Sequence, residues 1–242
     1  VSAVTARLLI VVAFMAPALV SAQTVDEIVA RHVTARGGRE ALAAVRTLRM
    51  TGRAVAGPGK EAIVRREIAR PGRIRTEFVF QGTTGVYVWD GSAGWQVSPL
   101  DGRLEPGPMS AEAAALSAEQ ADFEGPLVDW KAKGHSVERV GSATLPGGPA
   151  HELKVTLKSG VVRRVWVDAQ SGLIVKTGST RKVRGHEVAV EVVYGDYRET
   201  GGLRFARSID IGVKERPQRL RIMVENVEVN PPLDDSRFSL PR

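Results

Sequence analysis

Residues 151–197 read HELKVTLKSGVVRRVWVDAQSGLIVKTGSTRKVRGHEVAVEVVYGDY, and this stretch decides the fold. Leu153, Val155 and Leu157 fall on one side of an extended chain, while Glu152, Lys154, Thr156 and Lys158 fall on the other. That is the period-2 pattern of a half-buried strand. Turn pairs at Ser159-Gly160, Ser171-Gly172 and Arg184-Gly185 separate successive runs, so the stretch reads as an antiparallel meander. One face of it needs a cover, supplied either by more protein or by a ligand.

The rest of the chain has enough material for that cover. It has 242 residues with 43% hydrophobic content, sufficient for one sizeable core. At the start, Arg7 precedes an apolar run from Leu8 to Val20 that ends in Val20-Ser21-Ala22. This reads as a secretory signal peptide cut after Ala22, because the run is shorter than the roughly 20 residues of a membrane span. There is no cysteine, which removes disulfides, thiolate metal sites, thiol nucleophiles and a lipid-bearing cysteine anchor. An exported, unanchored protein of a bacterial periplasm is expected, as a single domain over residues 23–242. Without Arg7 the net charge is about +6, and anionic surfaces fit that sign. No basic tract interleaved with aromatics occurs, so nucleic acid is not an expected partner.

In chain order, Thr24 and Glu27 form a capping box for a helix carrying Val25, Ile28, Val29, His32 and Val33 on one face, stopped by Gly37-Gly38. A short second helix from Arg39 to Val45 leads into a strand from Thr47 to Val55. Strands over Glu61–Arg70 and Ile74–Gln81 join at Pro71-Gly72, in a hairpin crowded by Arg65, Arg66, Arg70, Arg73 and Arg75. Val86–Trp89 and Gly94–Val97 flank Asp90-Gly91-Ser92-Ala93 as a further hairpin, which places Trp89 and Trp95 close together. Between Ser110 and Gly134 the pattern turns helical: Ser110 caps a helix with Ala111, Ala113, Ala114, Ala115 and Leu116, and Gly125-Pro126 opens another with Leu127, Val128 and Trp130. These two helices are expected to form a lid. Strands resume from Ser136 and end with Gly202–Ile211 and Leu220–Val229, for about ten to eleven in all, which must curl or close.

No catalytic constellation is visible. His32, His135, His151 and His186 lie in different expected elements, and His186-Glu187 lacks the second histidine of a helical zinc motif. Asp26-Glu27 belongs to a helix start and Asp234-Asp235 to a turn. No cofactor or metal is expected. The pattern favours a binding protein over an enzyme, although a triad assembled from distant residues leaves a hydrolase open.

Several local motifs, in this order, resemble the LolA family of periplasmic lipoprotein carriers and the related outer-membrane lipoprotein-sorting proteins. They are the first amphipathic helix, Ala69-Arg70-Pro71, Trp89-Asp90-Gly91 followed by Trp95 and Pro99, and the helical insertion. Val167-Asp168-Ala169 with Ser171-Gly172-Leu173, and the ending Asn230-Pro231-Pro232-Leu233-Asp234-Asp235-Ser236-Arg237-Phe238, complete them. The resemblance implies an α+β, mainly β chain: an incomplete, strongly curved antiparallel barrel covered by an N-terminal helix and a mid-chain lid, with an apolar cavity for acyl chains. It also implies that Arg70 hydrogen-bonds to the lid and helps control opening. The sequence stops at Pro241-Arg242, where the family's lipoprotein carriers continue, which bears on lipoprotein shuttling more than on the fold; a carrier or sensor of another lipid would keep the cavity. Cavity candidates are Phe78, Phe80, Tyr87, Trp89, Trp95, Trp166, Val192, Tyr194, Phe205 and Ile222, with Leu116, Leu127, Val128 and Trp130 on the lid. Taken singly, each reads more readily as an ordinary core side chain. The expected partners of this monomer are lipid or lipoprotein acyl chains and a membrane donor or acceptor protein. The alternative is a non-catalytic regulatory or scaffold module of the same fold that recognises a protein partner.

Overall fold

The computed structural model describes residues 23–183, 186–214 and 216–239. The expected leader, the turn at Arg184-Gly185 and the ending Pro241-Arg242 lie outside the described residues. Among those residues, no helix is long and apolar enough to cross a membrane.

Two helices open the described chain, α1 (Val25–Ala35) and α2 (Arg39–Ala44). Strands β1 (Thr47–Val55), β2 (Glu61–Ala69), β3 (Arg73–Phe80), β4 (Thr83–Trp89), β5 (Gly94–Ser98) and β6 (Arg103–Pro108) follow as a meander. After α3 (Ala111–Ala121) come β7 (Ser136–Leu145), β8 (Gly148–Thr156), β9 (Val162–Asp168), β10 (Ile174–Val183), β11 (His186–Thr200), β12 (Leu203–Val213) and β13 (Arg219–Val229). All thirteen form one sheet in the order β6-β5-β4-β3-β2-β1-β13-β12-β11-β10-β9-β8-β7. The first and last strands therefore pair at its centre, while β6 and β7 are its two edges. The stretch 151–197 supplies most of β8 to β11, the meander its alternation predicts.

Thirteen strands exceed the ten to eleven expected. One that the turn signals do not announce is β6, whose Pro106 and Pro108 argue against a strand and are tolerated because it is an edge. The second lid helix is also corrected. Residues 126–134 form consecutive turns, with Asp129 at φ +51°, a left-handed conformation that no helix interior accommodates.

Cross-strand register sorts the side chains onto two faces. Leu48, Ile68, Ile74 and Trp89 lie opposite one another in sequence across β1 to β4, on the inner face. Leu153 and Val165 continue this face in β8 and β9, and Ile209 and Ile222 do so in β12 and β13. Here the sheet meets Ile28, Val29 and Val33 of α1, Leu42 of α2, and Leu127 and Val128 of the turn segment in one core. A smaller outer cluster joins Ala69, Val88 and Trp95 to Phe238 of the C-terminal segment. Of the arginines crowding β2 and β3, Arg65, Arg73 and Arg75 have carboxylate partners there. Buried Glu67 accepts from Arg49 and Arg237, Arg73 bonds Asp235 at 2.8 Å, and Arg75 bonds Glu77 at 2.6 Å. Burial pushes the Glu67 carboxyl up, but the Arg237 and Arg49 hydrogen bonds outweigh it and hold it below the usual value.

Helix α1 is fixed by its capping box and by His32, whose buried Nδ1–H donates to the Gly172 carbonyl at 3.0 Å. Gly172, at φ +74°, lies so close to the helix that a Cβ would stand 3.0 Å from the Arg31 side chain. Burial, then the nearby Arg36 charge, pull the His32 pKa from 6.5 to about 4, against the effect of the Gly172 carbonyl. The unfolded chain therefore binds the proton first as pH falls, and stability decreases through that window. We expect a loss of about 3 kcal/mol between neutral pH and pH 4 from this residue. Urea unfolding across that range should show the loss in the native protein and a flatter profile in His32→Leu; identical slopes would contradict the assignment.

Candidate functional site

The topology creates the site. Residues 109–135 link β6 to β7, the opposite edges of the sheet, so this connection crosses the inner face. Helix α3 is its main element, capped where Ser110 Oγ accepts from the Ala113 amide at 3.2 Å. It lies against β3 and β4. From it Gln120 accepts a hydrogen bond from Arg66 of β2 at 3.2 Å, and Glu119 pairs with Arg163 of β9. The helix thus touches both halves of the sheet.

Beyond α3 lies a partly enclosed cavity of about 980 Å³, at the upper end of the ~300–1,000 Å³ typical of small-molecule sites. Ala113, Ala115 and Leu116 form its helical wall, and Val190, Ile211 and Leu220 of β11, β12 and β13 form much of the facing wall. Arg163 and Arg181 enter from β9 and β10. Among the described residues, no cluster of His, Cys, Asp or Glu could hold a metal ion.

Of the sequence-predicted candidates, only Leu116 lines this cavity. Phe78 and Tyr87 occupy the inner face with their rings edge-to-face, centroids 6.1 Å apart, and Phe80 follows two residues on. Val192 and Tyr194 share that face, the Tyr194 hydroxyl 3.5 Å from Thr177 Oγ1. Trp89, Phe205, Ile222, Leu127, Val128 and Trp130 belong to the main core or pack against it. Trp130 also lines a separate hollow of about 540 Å³ between α1 and the turn segment.

Trp95 and Trp166 face outward. Trp89 pairs with Gly94 and Val88 with Trp95, so the one-residue offset puts the two tryptophans on opposite faces rather than together. Trp166 is in register with Lys176, whose ammonium stands 5.0 Å from its ring. The sequence reading missed Val190 and Leu220 as lining residues, and Arg163 and Arg181. Arg163 did leave a signal, since it stands where the Val165 and Val167 alternation calls for an apolar side chain.

Arg70 sits where β2 ends, before a cis peptide bond to Pro71. Its Nε donates to the Val45 carbonyl at 2.8 Å, and one terminal nitrogen reaches both the Leu42 carbonyl at 3.2 Å and Glu124 Oε1 at 2.8 Å. Its guanidinium lies 5.0 Å from the Phe123 ring. Arg36 donates to the carbonyls of Phe123 and Glu124, and Lys133 bonds Asp122 at 2.6 Å and the Gly125 carbonyl at 3.0 Å. Three cations from three parts of the chain therefore hold residues 122–125, the root of α3. Removing Arg70 leaves buried Glu124 with Lys133 at 3.7 Å as its ion-pair partner. Arg70→Leu should cost about 1.5–3 kcal/mol, the range for hydrogen bonds to charged groups. Hydrogen exchange should rise more at residues 122–134 than in β9 to β12; a uniform rise across the sheet would refute a local anchor.

No protein-family model matches the chain, and no curated protein matches it by sequence. Solved structures do match by fold. A LolA superfamily protein from Nitrosomonas europaea gives a TM-score of 0.59 at 14% identity, covering 90% of this chain and 99% of its own. A DUF1329 family protein from Desulfovibrio piger gives 0.58 at 13% identity over 89% and 97%. A domain assigned to the outer membrane lipoprotein-sorting proteins, from Vibrio parahaemolyticus, gives 0.56 at 12% identity over 88% and 94%. At these identities the likeness is one of fold, and the chain has the LolA-like fold: a curved, open antiparallel sheet with helices over its inner face.

Proposed function

We propose that this protein is a non-catalytic carrier of the bacterial periplasm that sequesters acyl chains, of lipids or lipoproteins, between α3 and the inner face of the sheet. The observation that carries this reading is the cavity of about 980 Å³ with Leu116 on one wall and Val190, Ile211 and Leu220 on the other. The LolA-like fold supports it, since a lipoprotein-sorting protein is among its fold relatives. Each methylene moved from water into such a cavity contributes about 0.8 kcal/mol, so a chain of ordinary length needs no further specific contact to bind. Release then requires movement of the covering segment, and the Arg70–Glu124 anchor at its root is suited to govern that step. Delivery would be completed by a membrane donor or acceptor protein.

Ile211→Trp and Val190→Trp place large rings inside the cavity. Titrated with a fluorescent acyl probe, both should bind at least about tenfold more weakly than the native protein, as overfilling a site predicts. Trp166→Phe, on the outer face, should bind as the native protein does. Equal probe binding by all four proteins would place the ligand elsewhere. No binding by any, together with a lipid-free organic extract of the purified protein, would favour the partner-recognising module instead.

A further inference from the structure

Three arginines project from the inner face into or beside the cavity, where sequence alternation calls for apolar side chains. Arg66 lies between Val64 and Ile68 in β2, opposite Met50. Arg163 lies opposite Val155 in β8 and Ser179 in β10, and Arg181 lies opposite Val188 in β11. Burial pulls the pKa of each guanidinium down. The Tyr194 phenol, in the middle of the face, is the electrostatic neighbour common to all three.

Their partners do not balance them. Arg66 has the neutral Gln120 amide oxygen at 3.2 Å, and Arg181 the Ser179 hydroxyl at 3.3 Å. Arg163 alone has a carboxylate, Glu119. The buried Nε atoms of Arg66 and Arg163 have no hydrogen-bond partner among the described residues, and Arg163 and Arg181 repel each other. Buried cations are ordinarily paired, because an unpaired charge in a poorly solvated space is expensive. The cavity wall also carries Glu112, Arg103 and Arg219, the last bonded to Asp210, so arginines outnumber carboxylates beside its apolar residues, a surplus complementary to an anion on an apolar chain.

We propose that the ligand is an anionic amphiphile, its acyl chain along Leu116, Val190, Ile211 and Leu220 and its carboxylate or phosphate head on Arg163 and Arg181, with Arg66 adding to the field behind them. This rests on the acyl-carrier reading and narrows it. An acyl chain joined only by a neutral ester or amide offers these arginines no charge. Glu119 holds Arg163, and an incoming head group competes with it for that guanidinium.

The test compares ligands of equal chain length on the full exported protein: oleate against methyl oleate, and oleoyl lysophosphatidic acid against monooleoylglycerol. The anionic member of at least one pair should bind about tenfold or more tightly, the scale of one charge-assisted contact. Which pair shows the difference identifies the head as carboxylate or phosphate. Arg181→Met, which keeps the hydrocarbon bulk, should remove most of that preference, and Arg181→Lys should restore part of it. Glu119→Gln, which frees Arg163, should strengthen anion binding. Equal binding of charged and neutral partners overturns the proposal while leaving the acyl-carrier reading intact, as does a preference that survives Arg181→Met. Failure of all four ligands to bind overturns both.

Discussion

The structure depends on one topological constraint: the two strands joined by the mid-chain connection stand at opposite edges of a single sheet. Strands β1 to β6 run outward from the centre in one direction and β13 to β7 in the other, with β1 and β13 paired between them. A chain leaving β6 for β7 must pass from one edge of the sheet to the other, and here it passes over the inner face, where Leu127 and Val128 join the core. The strand order thus requires a long connection, and its apolar side chains put it on the inner face. The composition of the crossing segment then decides how well it covers. Alanine-rich α3 buries only Ala121, whereas Leu127 and Val128 in the following turns are fully buried. The segment is thus anchored at its root and thin over the cavity, the arrangement expected of a cover that opens without unfolding the sheet.

The two faces of the sheet use arginine in opposite ways. On the outer face, Arg49, Arg65 and Arg237 converge on Glu67, and Arg75 and Arg237 on Glu77, so each cation meets a carboxylate and the C-terminal segment is fastened down. On the inner face, among the described residues, Arg66 and Arg181 meet only neutral oxygens. The outer network is structural by this criterion, because its charges are neutralised within the chain. Of the inner three only Arg163 meets a carboxylate among the described residues, and the anionic cargo proposed above would supply the counterpart of the others.

Much of the fold was legible because period-2 alternation is a backbone property. Leu153 and Val155 in β8, and Ile209 and Ile211 in β12, reveal their strands whatever they touch. Capping at Thr24 and Ser110 likewise gave both helix starts from local chemistry. What could not be read depended on register. Trp89 and Trp95 sit six residues apart around a hairpin, and a single offset separates them by the thickness of the sheet. Asp129 adopts a left-handed conformation that its residue type does not announce, and residues 126–134 form turns where a helix was expected. Bulk was also a poor guide to the cavity. Large aromatic side chains fill space, so Trp89 and Phe205 went into the core, while smaller Val190 and Ala113 left the room that defines the site. Arg163 and Arg181 stand at positions of their strands that face the cavity, which the register reveals.

If an acyl chain is held between α3 and β11 to β13, a photo-crosslinker on the chain will mark that cavity. Photo-crosslinking with a diazirine-bearing fatty acid, followed by peptide mapping, reports the residues in contact with the chain. Labelling is expected in α3 and in β11 to β13, around Leu116, Val190, Ile211 and Leu220, with its loss on competition with unlabelled fatty acid. Labelling confined to the outer face around Trp166, to the hollow beside Trp130, or resistant to competition would contradict it.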